Sequence, residues 1–160
     1  MKRIFYVLIM AIVGYSCTST ECCLPEPTSF GTTTTIINSQ DEYDEILARI
    51  QSNELVSDPF ELDSLYVENG LANIIVQFSG GCREHDFALV WSESMSLHNP
   101  PQVYAILLHE DNDDMCEAYP TEILEFDLND NPFNYDAETM SGLHIIIING
   151  SDTTEQVANQ

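Results

Sequence analysis

Residues 64–78, Ser-Leu-Tyr-Val-Glu-Asn-Gly-Leu-Ala-Asn-Ile-Ile-Val-Gln-Phe, decide the fold class. Leu65 and Val67 alternate with polar neighbours. Asn69-Gly70 supplies the two residues that tolerate positive φ, as a type I′ turn requires, and Ala72, Ile74, Val76 and Phe78 carry the alternation back. Side chains of a strand point alternately to its two faces, so a period of two marks a half-buried β-hairpin.

The same signature recurs on either side of this stretch. Phe87, Leu89 and Trp91 form another alternating face, and Pro100-Pro101 breaks the chain before Val103–Leu108, which is apolar on both faces and reads as a central strand. Leu124, Phe126 and Leu128 alternate with acidic residues, and Leu143–Ile148 is a short, β-branched, wholly apolar run that favours a buried strand. Upstream, Thr32–Ile37 reads as a first strand. Ser39-Gln40-Asp41-Glu42 then has the form of a capping box, and Tyr43, Ile46, Leu47 and Ile50 follow at helical spacing, predicting one amphipathic helix over 40–52. About seven closely spaced strands with short turns predict a mainly β fold, a β-sandwich or open barrel of antiparallel strands, with one short N-terminal helix. The expected division is an export signal over 1–16, a lipidated tether over 17–31, a single acidic domain over 32–150 and a disordered tail over 151–160.

The N-terminus carries an address. Lys2 and Arg3 precede the apolar run Ile4–Val13, and Gly14-Tyr15-Ser16-Cys17 closes it. The run is too short to span a bilayer and has the layout of a secretory signal. Gly and Ser before Cys17 resemble a lipobox, although Tyr15 and the missing Leu depart from its strict form. The expectation is an exported protein lipidated at Cys17 and anchored to a bacterial membrane, at the outer membrane or on a periplasmic face; acyl chains contribute about 0.8 kcal/mol per buried CH₂.

The 160-residue chain has 4 basic and 27 acidic residues. Removing 1–16 takes Lys2 and Arg3, leaving Arg49 and Arg83 and a formal charge of −25. Such a surface repels phosphate backbones, which excludes nucleic acid as a partner, and it favours cations or a basic protein.

Beyond Cys17, the cysteines are Cys22, Cys23, Cys82 and Cys116. In an oxidising compartment Cys82 and Cys116 are expected to pair. The competing arrangement is a zinc site, since Cys82-x-x-His85 and His109-x₆-Cys116 together offer two thiols and two imidazoles. Asp111, Asp113, Asp114 and Glu117 beside His109 add a candidate calcium loop, although Asp and Asn also favour turns by bonding their own backbone. Asp127, Asn129, Asn131, Tyr135 and Glu138 match EF-hand positions in part, but Pro132 stands where the turn needs glycine. The metal candidates are therefore His85, His109, Asp111, Asp113, Asp114 and Glu117, with no cofactor otherwise expected. No nucleophile elbow, zincin helix motif or phosphate-binding glycine loop is present, so no catalytic residue is assigned and an enzyme is not expected.

The string Gly80-Gly81-Cys82-x-x-His85-x-Phe87-x-Leu89, Pro100-Pro101, a strand ending at His109, Asp114-x-Cys116-Glu117-Ala118 and Leu124-x-Phe126-Asp127-Leu128 resembles small uncharacterised lipoproteins of Bacteroidota over residues 60–130. The resemblance implies an envelope location and a single unit holding both cysteines; it implies no activity. The functional expectation is a non-enzymatic binding module with a protein or glycan partner, with a divalent-metal (calcium or zinc) protein and an extracytoplasmic protease inhibitor as alternatives.

Overall fold

A computed structural model describes residues 31–159. Residues 1–30 and Gln160 lie outside the described residues, and with them the export signal, Cys17, Cys22, Cys23 and nearly all of the tether. The described chain runs β1 (Thr32–Asn38), α1 (Gln40–Gln51), β2 (Phe60–Glu68), β3 (Leu71–Phe78), β4 (His85–Ser96), β5 (Gln102–Glu110), β6 (Thr121–Asp127), α2 (Ala137–Ser141), β7 (His144–Asn149) and β8 (Gln156–Ala158). The fold is mainly β, as the alternation implies.

The deciding stretch is the β2–β3 hairpin. Glu68 faces Leu71 across Asn69 and Gly70, whose φ values of 54° and 79° are those a type I′ turn needs. Phe60 and Leu62 point into the core on even positions and Leu65 on an odd one. A bulge between Leu62 and Ser64 absorbs that change of phase. One extra residue re-aims every later side chain, so the bulge keeps both halves of a nine-residue strand facing inward.

The strands divide between two sheets, β1-β4-β5-β7-β8 and β2-β3-β6. Their facing sides share one core. Ile74, Val76, Leu124 and Phe126 from the smaller sheet meet Leu89, Trp91, Val103, Ala105, Leu107, Ile145 and Ile147 from the larger. On the other side of the larger sheet, Tyr43 and Ile46 of α1 pack on Val90 and Ile106 in a second cluster. The α1 start is set by Ser39, whose Oγ accepts the Glu42 N–H.

Three features depart from expectation. The strands are not all antiparallel: β1–β4 and β5–β7 are parallel pairs. The chain leaves the larger sheet after β1 to build the β2–β3 hairpin, and again after β5 to build β6, so each return enters as a crossover. Over its described part, 151–159, the stretch expected to be a disordered tail is structured. It contains β8, which pairs with β7, because the Asn149 side chain accepts from Ser151 N–H and turns the chain back. A short second helix, α2, is capped by Asp136, whose Oδ1 accepts the Thr139 N–H; five residues are too few to leave a periodic signal.

A candidate site beneath a disulfide-braced loop

At the end of the core where β4 begins and β5 ends, alternation turns His85 and His109 inward. His85 shares its phase with Phe87, Leu89 and Trp91, and His109 shares its phase with Val103, Ala105 and Leu107. Both imidazoles are buried, 1% and 4% exposed. Phe78 and Phe87 lie against His109 at ring-centroid distances of 5.3 and 4.5 Å, and Phe60 meets it edge-on at 5.8 Å. The His85 and His109 rings lie edge to edge and nearly parallel, with an interplanar angle of 9°.

The two rings are linked to a carboxylate. His85 Nδ1 lies 2.8 Å from His109 Nε2, and His85 Nε2 lies 3.2 Å from Asp114 Oδ2. The Asp114 side chain is 1% exposed, and both of its oxygens accept hydrogen bonds. Oδ2 accepts the backbone N–H groups of Gly81, Cys82 and Arg83 at 2.8, 2.7 and 2.9 Å, and Oδ1 accepts that of Cys116 at 2.9 Å. Successive N–H groups turned onto one anion form a nest, here occupied by the protein's own carboxylate. The Cys116 N–H foremost, with those of Cys82 and Arg83 and the His85 ring, holds the Asp114 carboxyl well below the usual carboxylate range.

An ionised Asp114 only accepts, so the proton on His85 sits at Nε2. With that proton at Nε2, Nδ1 is the atom that accepts the His109 Nε2–H. His109 Nδ1, which has no hydrogen-bond partner among the described residues, is left as a bare lone pair rather than as a more costly orphaned donor. Burial, together with the adjacent His85, pushes the His109 pKa down, in keeping with a neutral ring.

Gly80 makes this approach possible. Its φ is +136°, and a Cβ there would stand 2.5 Å from His85 Nε2 and 3.0 Å from Asp114 Oδ2. Gly81, at φ +108°, continues the turn that aims the N–H groups. The Gly80-Gly81 doublet before Cys82 is what lets the backbone close this tightly.

Cys82 and Cys116 are bonded, with Cα atoms 6.0 Å apart. The loop they brace has further ties: Arg83 Nη1 donates to Asn112 O, Asn112 Nδ2 donates to Glu84 O and Asp86 Oδ2, and Gly80 N–H donates to Ala118 O. Asn112 and Asp113 adopt φ of 54° and 57°. With Asp114 turned inward, its neighbour turns outward: Met115 is 93% exposed between Asp113 and Glu117. That exposed methionine was not singled out from the sequence.

The six metal candidates do not form one site. His85, His109 and Asp114 meet, but as a hydrogen-bonded chain with both His85 nitrogens engaged inside the protein. Asp111, Asp113 and Glu117 are not grouped with them: among the described residues, the one cluster of possible ligand atoms is Cys82, Asp114 and Cys116. Asp111 Oδ1 instead accepts the Asp113 N–H as turn chemistry. The EF-hand-like stretch is also turn chemistry. Asp127 Oδ1 accepts from the Asn129 N–H, and Asn131 bonds the backbone around it.

No family model matches the chain, and no curated protein matches it. Among solved structures, it is similar to a NigD-like immunity protein from Bacteroides caccae (23% identity, TM-score 0.46, 75% of this chain and 52% of that one). It is also similar to a protein of unknown function from Bacteroides vulgatus (14%, TM-score 0.49, 80% and 55%) and to a putative toxin-related protein from Parabacteroides distasonis (16%, TM-score 0.44, 81% and 58%). The chain spans little more than half the length of these structures.

Proposed function

We propose that this chain is a non-enzymatic interaction module of the bacterial cell envelope, exported, held to the membrane through a lipid on Cys17, and presenting the 112–118 loop to a protein partner. The observation that carries the reading is Met115, 93% exposed on a loop fixed from within by a disulfide and a buried carboxylate. Ordering a loop on binding costs free energy, and one already ordered spends less of its contact energy on that. Leu97 is as exposed, at 97%, but among the described residues no disulfide or buried carboxylate braces its turn; the contacts there run from Ser96 to His98 and Gln102.

The partner that suits this loop has an apolar socket for the methionine and a basic rim for Asp113 and Glu117. The formal charge of −25 on the mature chain would speed its encounter with such a rim. We also read the two sheets as a sandwich that serves as a rigid platform. Their flanks meet through bonds such as Phe60 N–H to Ser151 Oγ and Leu62 N–H to Glu155 Oε2, not through a ladder.

The test places a photo-crosslinking residue at position 115 or at position 97 of the full chain in intact cells. One discrete adduct from 115, absent from 97 and abolished by Asp113→Lys/Glu117→Lys, supports the reading. Adducts of equal yield from both positions, or none from 115, overturn it. The anchor has its own check: Cys17→Ser should move the protein from the membrane to the soluble fraction. A disulfide-braced exposed loop also suits a protease inhibitor. A protease panel separates that reading, because inhibition lost in Met115→Asp would make the socket a protease cleft.

A further inference from the structure

Cys82 Sγ, Cys116 Sγ and a carboxylate oxygen of Asp114 all lie within 4.8 Å of one another. While the two sulfurs are bonded they cannot ligate a metal. Their placement does not rest on that bond alone: four N–H groups on Asp114, the Arg83–Asn112 and Asn112–Glu84 bonds and the Gly80–Ala118 bond hold both cysteine-bearing segments together. Cleaving the disulfide therefore leaves two thiols beside a carboxylate on a backbone that is still tied. Zn–S bonds of about 2.3 Å in tetrahedral geometry put two thiolates about 3.8 Å apart, which Cα atoms at 6.0 Å accommodate by side-chain rotation. Asp114 Oδ1 accepts a single N–H, from Cys116, and keeps a lone pair.

We propose that reduction of Cys82–Cys116 converts the brace into a site for one thiophilic divalent cation of the zinc class, held by both thiolates and Asp114 with solvent in the fourth position. A dithiol reductant delivers two electrons and two protons to the disulfide and becomes a disulfide itself; the cation then displaces the two thiol protons to solvent. Thiolates select against calcium and magnesium, which prefer oxygen ligands. The ligand set differs from the one the sequence suggested, since His85 is engaged within the core and His109 lies behind it. The site does not depend on the interaction reading.

The test uses the full chain with Cys17→Ser, Cys22→Ser and Cys23→Ser, so that only Cys82 and Cys116 report. A phosphine reductant, which takes an oxygen from water as the disulfide gains two hydrogens, is applied and removed under argon, and Co²⁺ is titrated as a stand-in for zinc. One Co²⁺ per chain with thiolate-to-cobalt charge-transfer absorption, displaced by Zn²⁺ and absent from the oxidised protein, is the expected result. Asp114→Asn should weaken Co²⁺ binding about tenfold or more. A second readout needs no variant at the site: Zn²⁺ should protect Cys82 and Cys116 of the reduced chain equally from alkylation, read by mass spectrometry. No charge-transfer band, or alkylation indifferent to Zn²⁺, overturns the proposal.

Discussion

Two loops rich in Asp and Asn, residues 111–118 and 127–137, are built in opposite ways. The first is organised around an anion: Asp114 gathers four backbone N–H groups and a histidine, and a disulfide closes over it. The second is organised around a neutral amide. Asn131, 7% exposed, donates to Leu128 O and Tyr135 O and accepts from the Phe133 and Tyr135 N–H groups. The amide satisfies donors and acceptors at once, whereas the carboxylate satisfies donors alone and needs the nest. The apolar residues follow suit: Phe133 packs against the core, while Met115 is turned out. The second loop closes the fold, and the first displays a side chain.

That contrast is broken most severely at the brace. Cys82–Cys116 closes a loop of 35 residues, for which chain entropy gives about 4 kcal/mol of stabilisation. Cys82→Ser/Cys116→Ser should lower the stability measured by urea unfolding by about that amount, with no effect on the 127–137 loop in amide exchange. Equal loosening of both loops would show that they are one cooperative unit. The second loop has no covalent brace, and its equivalent insult is Asn131→Ala. This leaves two N–H and three C=O groups without that partner, a loss of about 2–3 kcal/mol. If that variant instead unfolds the 111–118 loop first, the independence of the two loops fails.

Acid should separate the loops without any mutation. The Asp114 pKa is depressed, so its contribution to stability is complete above the unfolded value near 3.9 and is lost as pH falls through the lower folded value. His109 is also depressed: the unfolded ring takes up a proton below about pH 6.5 while the folded ring resists, so stability declines from that pH downward until the folded ring titrates. The first loop thus feels two acid steps; Asn131 feels neither, and the depressed carboxyl of the second loop is Asp136, at the α2 N-cap and held down by Thr139. Carbon-13 titration of the Asp114 carboxyl should show it still ionised below about pH 4. A midpoint at the ordinary value would mean that the nest does not hold it.

The hairpin, the helix stripe and the Cys82–Cys116 pair were legible in the sequence because each rests on local period or on a parity of thiols. The parallel pairings of β1 with β4 and of β5 with β7 were not, because a crossover is decided by which sheet the intervening strands join, and strand periodicity does not record that. The site was half legible. His85 and His109 each carry the phase of buried neighbours, which marks them as inward. Asp114 does not; within Asp111-Asn112-Asp113-Asp114 nothing local distinguishes the one carboxylate that turns inside. Its selection comes from Gly80 and Gly81, more than thirty residues earlier, whose positive φ aims the N–H groups. Grouping all the loop carboxylates as metal ligands was the natural misreading.

The smallest effect on stability should come from the residue on which the interaction reading depends. Met115 is 93% exposed, so Met115→Ala removes almost no buried contact and should shift unfolding by no more than about 0.5 kcal/mol. Phe133→Ala, in the closing loop, removes a side chain packed on the core and should be plainly destabilising in the same assay. The asymmetry reverses for a partner. A central apolar anchor contributes about 2 kcal/mol or more to an interface, so Met115→Ala should weaken capture about thirtyfold while Phe133→Ala, at temperatures where it stays folded, leaves affinity unchanged. An exposed methionine neutral for both stability and binding would be surface composition only, and the brace beneath it would then serve the fold and not display.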